Sequence, residues 1–188
     1  DDLTDLGVAI DQSARWEQAV RGLIDVTSIE DLEPPETLRA KLRPYQLDGY
    51  RWLCFLWKHQ LGGILADDMG LGKTLQALAL ICRARMVCPE QPPFLVVAPT
   101  SVVSNWSSEA ARFAPGLRVV CLTESESKRG EPSGKAVAAA DLVITSYSLL
   151  RIDNDKLAEL EWSGLLLDEA QFVKNHRAKT YQCARRIA

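Results

Sequence analysis

The sequence lacks the features that would place it in a membrane, in an oxidising compartment or around a structural metal. None of its apolar runs reaches the roughly 18 residues of a membrane-spanning helix, and we find no signal peptide. Its five cysteines are odd in number and form no Cys-x-x-Cys pair, and its two histidines belong to no cluster with metal-ligand spacing. We therefore expect a cytoplasmic protein with reduced thiols and no membrane association.

Positive charge is also scarce. The 188 residues carry a formal net charge of −3, and the isoelectric point is near 5.5. A chain without a global positive field binds nucleic acid only through a local groove. Its length suits one domain of ordinary globular composition. Because the sequence begins with two aspartates and no methionine, we expect it to be part of a longer protein.

What the sequence does contain is a phosphate-binding loop at residues 62–76, GGILADDMGLGKTLQ. The apolar residues 64–66 are predicted to form a short strand that leads into a turn, and Gly-Lys-Thr then opens a helix. Gly70 and Gly72 have no Cβ, so the backbone can turn successive N–H groups toward an anion. The helix N-terminus that follows favours negative charge as well.

This loop predicts a site for ATP and Mg²⁺. Lys73 is expected to reach the β- and γ-phosphates, and the Thr74 hydroxyl is expected to hold Mg²⁺. Position 67 departs from the general pattern, which has glycine where this chain has aspartate. The other candidate nucleotide-binding residues are Asp67, Met69, Gly70, Leu71, Gly72 and Leu75.

Apolar strands alternate with helices after the loop, which predicts an α/β fold with a mostly parallel sheet and helices on both faces. Upstream, we expect an amphipathic helix and, after a proline pair, an aromatic-rich helix that begins at Pro44. A polar segment and a basic C-terminal segment are predicted as an exposed loop and a helix. The predicted strands are 94–98, 118–122, 142–145 and 165–167; the predicted helices are 9–24, 44–57, 73–86, 102–113 and 172–188; the predicted loop is 123–135.

Two further places carry candidate chemistry. The last apolar strand runs into Asp168-Glu169-Ala170-Gln171. After a phosphate loop, Asp168 is expected to hold the Mg²⁺ that bridges the phosphates, and Glu169 to polarise the attacking water. Gln46 lies early in the aromatic-rich helix, and its amide offers the donor and acceptor that an adenine edge requires.

Five segments occur here in an order that resembles the SWI/SNF-type ATPases, the chromatin-remodelling and bacterial homologues within helicase superfamily two. They are LRPYQLDGYRWL, ILADDMGLGKTLQ, LVVAPTSVVSNW, LVITSYSLL and LLLDEAQFVKN. The resemblance covers residues 38–188 and implies a RecA-like first lobe of a two-lobed, ATP-driven motor that translocates on duplex DNA. Residues 1–37 are then an N-terminal helical or linker segment.

The resemblance also implies residue roles. A residue at the position of Gln46 lies in an adenine-sensing motif, and an acidic residue at the position of Asp67 is common. Two motifs are expected to touch the nucleic-acid backbone, which positions a protein without reading sequence; their residues are Pro99, Thr100, Ser101, Thr145, Ser146 and Tyr147. The next strand of the first lobe and the second lobe with its arginine fingers are not in the sequence. We therefore expect an incomplete sheet and little activity from this chain alone.

Two alternatives stay open at the level of sequence. The first is a superfamily-two helicase that separates strands; the Asp-Glu-Ala-Gln motif and the LRPYQ segment speak against an RNA helicase. The second is a non-catalytic ATP-binding module. The presence of Lys73, Asp168 and Glu169 speaks against that module for the longer protein.

Overall fold

The computed structural model describes residues 29–68 and 70–187. The helix predicted at residues 9–24 and the candidate residue Met69 lie outside these ranges, and so does Ala188. No helix of the described residues is long and apolar enough to cross a membrane.

Four parallel strands form the centre of the fold: β1 (Phe94–Ala98), β2 (Val119–Leu122), β3 (Leu142–Ser146) and β4 (Gly164–Leu167). Their spatial order is β2-β3-β1-β4. The central strand β1 pairs with both β3 and β4, and Phe94 lies opposite Leu142 and Gly164. Every residue of β1 and β3 is buried, which explains why their sequences are apolar without alternation. The predicted strands after the phosphate loop are confirmed to within one residue.

Helices cover both faces of the sheet, as predicted. Phe94 and Val96 of β1 belong to one buried cluster, whereas Leu95 and Val97 belong to another. The first cluster packs against α1 (Pro44–Lys58), α2 (Lys73–Val87) and α3 (Thr100–Phe113). The second packs against shorter helices: α5 (Ser133–Val137), α6 (Tyr147–Ile152), α7 (Asn154–Ala158) and α8 (Lys179–Arg185).

The strand predicted at residues 64–66 is wrong. Residues 61–68 form no strand, and the side chain of Ile64 is 81% exposed. Three residues that follow two glycines form a strand only when a neighbour supplies hydrogen bonds. Within the described ranges, β4 pairs with β1 alone, and no strand lies beside this segment.

Two further predictions on the second face need correction. The segment 123–135, predicted as an exposed loop, is not a loop throughout, because it contains helix α4 (Glu126–Arg129) and the start of α5. Residues 172–188 are not one helix. A 3₁₀ helix (Ala170–Val173) and the short α8 are separated there by a turn, in which Asn175 Oδ1 accepts a hydrogen bond from the Arg177 N–H at 3.0 Å.

A buried carboxylate joins three elements at the amino ends of the strands. Asp141, just before β3, is 4% exposed. Its Oδ2 accepts a hydrogen bond from the Arg118 backbone N–H (2.8 Å), and its Oδ1 lies 2.7 Å from Arg118 Nη2 and 2.8 Å from Nη2 of Arg85 on α2. Burial alone would raise the pKa of Asp141, but the Arg118 hydrogen bonds and the Arg85 charge outweigh it, so the pKa is lowered.

All five cysteines are free thiols. Cys54 and Cys82 are buried in the first cluster, and burial raises the pKa of each thiol to about 11. These two cysteines are therefore protonated at neutral pH and act as small apolar core residues.

Candidate functional site

The loop before α2 has the backbone that a phosphate site requires. Gly70 has a φ of 82° and Gly72 a φ of 80°, both in the left-handed region that glycine adopts without steric penalty. Helix α2 begins at Lys73, directly after Gly72. The N–H groups of its first turn have no partner within the helix, so the loop and the helix start together form a site suited to an anion.

The Lys73 side chain folds back over this loop. Its Nζ donates hydrogen bonds to the carbonyl oxygens of Asp67 (2.8 Å) and Asp68 (3.0 Å). The ammonium is therefore already held where the loop curls, and a phosphate could replace these two carbonyl contacts. Thr74 follows as the second residue of α2 and is half-buried.

Gln46 of α1 contacts the same loop. Its side chain is buried; Oε1 accepts a hydrogen bond from the Arg43 N–H at 2.9 Å, and Nε2 donates to the Leu71 carbonyl at 3.0 Å. A Cβ added to Gly72 would lie 2.5 Å from Gln46 Nε2. The structure thus places Gln46 beside the phosphate loop, with its amide joining the start of α1 to that loop.

Gln76 is a second buried glutamine at the loop, and sequence reasoning gave it no role. It lies on α2 and is fully buried; its Nε2 donates to Asp67 Oδ2 at 3.1 Å. Its Oε1 finds no partner in the part of the chain that the structure describes. A Cβ on Gly49 of α1 would collide with this oxygen, so Gly49 lets α1 approach Gln76 closely.

Asp168 follows the carboxyl end of β4. Its N–H donates to the Val97 carbonyl at 2.9 Å, and its oxygens accept three further hydrogen bonds. Trp106 Nε1, on α3, donates to Asp168 Oδ2 at 2.8 Å. The Glu169 N–H donates to Asp168 Oδ1 at 2.9 Å, and the Tyr147 hydroxyl donates to the Asp168 carbonyl at 2.8 Å. The sequence gave no signal for the Trp106 and Tyr147 bonds, because these partners lie 62 and 21 residues away.

Glu169 has a backbone conformation that is unusual for its residue type. Its φ of 53° and ψ of 55° are left-handed, which costs a non-glycine residue about 1–3 kcal/mol. Its Oε2 accepts a hydrogen bond from Gln171 Nε2 at 2.7 Å. The left-handed residue ends the strand direction abruptly and begins the 3₁₀ helix, in which Phe172 stacks on Tyr147 with ring centroids 5.2 Å apart.

Tyr147 is a hydrogen-bond donor in this cluster at any physiological pH. Burial raises its pKa first, and the negative charges of Asp168 and Glu169 raise it further. The phenol therefore keeps its proton and its bond to the Asp168 carbonyl. That bond uses the hydroxyl that the sequence had suggested for a nucleic-acid backbone.

The other predicted nucleic-acid residues divide into two groups. Thr145 is fully buried, and its hydroxyl donates to the Leu122 carbonyl at 3.2 Å; the Ser146 Oγ accepts a hydrogen bond from the Leu149 N–H and caps α6. Thr100 and Ser101 are exposed at the start of α3, and Pro99 is half-buried. A cleft of about 440 Å³ opens beside them, and Val103, Cys121, Leu122 and Leu149 form part of its lining. We call it the hydroxyl-rich cleft because its other lining residues carry hydroxyls: Thr100, Ser104, Ser107, Ser108, Thr123 and Ser146.

These residues form two hydrogen-bonded groups. One contains the loop, Lys73, Gln46 and Gln76; the other contains Asp168, Glu169, Trp106 and Tyr147. No hydrogen bond between described residues joins the two groups.

The residues present fit ATP with Mg²⁺. Left-handed glycines, a lysine ammonium and a helix start suit phosphate, and the Thr74 hydroxyl and Asp168 carboxylate are hard oxygen ligands. The described ranges hold no group of three or more His, Cys, Asp or Glu side chains that could bind a metal. Mg²⁺ does not need one, since it is usually bound by one or two carboxylates together with substrate phosphates.

The fold is a parallel α/β lobe. A phosphate loop precedes β1, and an acidic pair follows β4, which is the arrangement of the nucleotide-binding lobe of a RecA-like ATPase. The family model described as "SNF2-related domain" matches residues 45–188. The chain belongs to this family, which confirms the resemblance stated from its motifs.

Individual relatives agree with this assignment. The chain is 36% identical over 184 residues to the TATA-binding protein-associated factor mot1 of Aspergillus fumigatus, covering 92% of this chain and 10% of that protein. It is 35% identical over 181 residues to the putative ATP-dependent helicase/translocase YwqA of Bacillus subtilis, covering 96% of this chain and 20% of that protein. The chain thus spans a tenth to a fifth of the length of these relatives.

A solved structure confirms the fold. The Sulfolobus solfataricus SWI2/SNF2 ATPase core in complex with dsDNA matches with a TM-score of 0.75 and 39% sequence identity. The match covers 84% of this chain and 32% of that chain. The predicted RecA-like α/β fold is therefore confirmed.

Proposed function

We propose that the chain is the ATP-binding first lobe of a DNA-dependent ATPase that uses hydrolysis to translocate on duplex DNA. One observation carries the proposal: a chain of the SNF2-related family combines the Gly70–Lys73 loop with the carboxylates of Asp168 and Glu169 after β4. The relative named as a helicase/translocase and the ATPase core solved with dsDNA support it.

Different residues of the chain bind the phosphates, hold the metal and activate water. The backbone of Gly70–Gly72 and the start of α2 bind phosphate oxygens, and Lys73 exchanges the loop carbonyls for the β- and γ-phosphates. Thr74 and Asp168 would hold Mg²⁺, which would neutralise charge on the phosphates. Glu169 orients and deprotonates the attacking water.

The remaining loop residues set the nucleotide pocket. The Asp67 carboxylate accepts a hydrogen bond from Gln76, and the Asp67 carbonyl accepts one from Lys73. The Leu71 carbonyl accepts a hydrogen bond from Gln46 of α1, and Leu75 packs against the first buried cluster. Met69 belongs to the same loop. Gln46 recognises the adenine edge by exchanging its present bonds to Arg43 and Leu71 for the base.

Duplex DNA binds on the side where α3 and α6 begin. Pro99, Thr100 and Ser101 offer exposed hydroxyls and backbone groups, and the hydroxyl-rich cleft continues this surface. Thr145 is fully buried between its neighbouring strands, so it supports this surface from inside the sheet. Ser146 and Tyr147 contribute through backbone groups, since their hydroxyls are already used within the protein. The contacts are neutral, so the affinity of this lobe is low.

Hydrolysis requires a partner lobe. A second RecA-like lobe of the longer protein supplies arginine fingers, which are worth roughly a thousandfold or more in rate, and its closure excludes water. The longer protein works in the cytoplasm, where five free thiols stay reduced. No observation favours strand separation or a non-catalytic role.

Nucleotide binding by the 188-residue chain tests the first half of the proposal. Lys73→Ala deletes a charge-assisted contact with two phosphates, so we expect Mg-ATP binding in calorimetry to weaken by about 1.5–3 kcal/mol. Lys135→Ala, at an exposed lysine outside the loop, is the matched control and should bind like the wild type. Equal affinity for wild type and Lys73→Ala would remove the loop from the site.

Hydrolysis by the two-lobed protein tests the second half. Duplex DNA should raise the ATPase rate well above the basal rate, and single strands should raise it less. A rate that duplex DNA leaves unchanged would contradict the translocase proposal while leaving the nucleotide site intact.

A further inference from the structure

We propose that Trp106 and Tyr147 are positioning residues that fix the metal ligand Asp168 to the two segments expected to contact the nucleic-acid backbone. The inference rests on the proposed function, since it assigns how the metal side of that site is held and controlled. It concerns two direct hydrogen bonds to Asp168, one to its carboxylate and one to its main chain.

The first bond fixes the carboxylate. Trp106 is 4% exposed, and its indole N–H can only donate, so a buried Nε1 needs an acceptor. It finds Asp168 Oδ2 at 2.8 Å, and the Glu169 N–H takes Oδ1 at 2.9 Å. Two N–H donors on the two oxygens define the carboxylate plane. Each oxygen keeps a lone pair that a metal can use.

The second bond fixes the main chain of the same residue. The Tyr147 hydroxyl donates to the Asp168 carbonyl at 2.8 Å. Its ring stacks on Phe172 of the 3₁₀ helix with an interplanar angle of 11°. Rotation of the Asp168 peptide would have to break this bond, and the stack with Phe172 holds the Tyr147 ring in place. The carboxylate and the carbonyl of Asp168 are therefore restrained by different residues.

Both donors lie on elements that begin at the proposed DNA surface. Trp106 is on α3, whose first residues Thr100 and Ser101 are exposed. Tyr147 is the first residue of α6 and directly follows Ser146, which lines the hydroxyl-rich cleft. A shift of either helix start on DNA binding therefore reaches Asp168 through one side chain, with no other residue between.

A purely structural role for the indole makes a different prediction. Trp106 also belongs to the first buried cluster, and a packing residue would lower stability on substitution without a specific effect on metal. A residue that orients a metal ligand changes metal affinity, typically by about 10–100-fold. The two roles are separable by comparing nucleotide binding with and without Mg²⁺.

The first experiment measures ATP binding to the 188-residue chain by calorimetry, in EDTA and across a Mg²⁺ titration. Trp106→Phe keeps an aromatic ring and removes the donor. We expect about tenfold more Mg²⁺ for half-maximal enhancement of ATP binding, with the EDTA affinity unchanged. Trp162→Phe is the matched control. Trp162 Nε1 also donates a partly buried hydrogen bond, but its acceptor is the Leu157 carbonyl at 2.9 Å and not Asp168.

The second experiment measures the ratio of duplex-stimulated to basal ATPase rate in the two-lobed protein. Tyr147→Phe removes one oxygen atom and should lower this ratio several-fold. Tyr50→Phe loses a comparable bond, from the Tyr50 hydroxyl to the Glu33 carbonyl, and should keep the wild-type ratio. Tyr147→Phe, run also through the Mg²⁺ titration, replaces Trp106→Phe if the latter does not fold.

Each outcome decides the inference. A wild-type Mg²⁺ requirement in Trp106→Phe, or a lowered unfolding midpoint with no change in Mg²⁺ requirement, would overturn it and leave the proposed function standing. An unchanged stimulation ratio in Tyr147→Phe would remove Tyr147 from the link. No Mg²⁺-dependent ATP binding by the wild-type chain would instead overturn the proposed function, and the inference with it.

Discussion

Removing the Asp141 side chain should destabilise the fold far from the nucleotide site. Asp141→Ala leaves Arg85 and the Arg118 backbone N–H without their acceptor. Breaking a buried ion pair from one side costs about 3–5 kcal/mol. The Arg118 side chain is 57% exposed and regains water, whereas that of Arg85 is only 17% exposed, so we expect the lower end, about 3 kcal/mol.

Urea unfolding followed by circular dichroism measures this loss. Asp155→Ala is the matched control, because Asp155 pairs with Arg186 and both side chains are exposed, at 80% and 57%. An exposed pair contributes about 0–1 kcal/mol. The two variants remove the same atoms. The difference between their losses in unfolding free energy therefore measures what the buried, multiply bonded position of Asp141 adds to an exposed pair.

The pH dependence provides an independent check. The folded-state pKa of Asp141 is lowered, so its stabilising contribution is present above the unfolded-state pKa of about 3.9 and is lost as pH falls through the folded value. The stability gap between wild type and Asp141→Ala should therefore narrow below about pH 4. Equal losses for Asp141→Ala and Asp155→Ala at pH 7, or a gap that stays constant to pH 3, would refute this reasoning.

Further predictions concern the site itself. Gly72→Ala should lower stability by about 1–2 kcal/mol and weaken ATP binding, because its Cβ meets Gln46 Nε2 at a positive φ; Gly116→Ala, in open space, is the control in thermal unfolding and calorimetry. Glu169→Gln in the two-lobed protein should bind ATP normally but turn over about a hundredfold more slowly; a parental phosphate-release rate would exclude Glu169 as the base. Fluorescence-anisotropy titrations should show that duplex binding by the 188-residue chain collapses between low and physiological salt, and tight, salt-resistant, sequence-selective binding would contradict this. At saturating ATP and duplex, the chain alone should release phosphate roughly a thousandfold more slowly than the two-lobed protein; equal rates would mean that a complete site lies within these residues.

The strands were predictable because their sequences record burial directly. β1 and β3 are covered on both faces, so Phe94–Ala98 and Leu142–Ser146 contain almost only apolar residues. The loop glycines were predictable for a similar reason, since Gly70 and Gly72 occupy backbone conformations that other residues adopt only at an energetic cost. Both signals are local, and a single sequence contains them.

The incorrect structural predictions, and the contacts that were not predicted, depend on interactions with residues outside the local sequence pattern. Residues 64–66 are apolar, but a strand needs a partner strand, and the residue pattern cannot say whether one lies alongside. The helices in 123–135 begin where a carboxylate accepts the first N–H group. Asp153 Oδ2, 27 residues away, accepts from Glu126, and Glu126 Oε2, seven residues away, accepts from Ser133. The Trp106–Asp168 bond joins residues 62 positions apart, and no spacing rule announces it.

The left-handed backbone of Glu169 makes this position a target when variants of the protein are selected for stability. Glycine or asparagine would relax this position, so a search for heat-resistant variants that scores stability alone would select Glu169→Gly early. Every such gain removes the proposed base. Libraries built to raise the stability of this domain should therefore hold residue 169 constant.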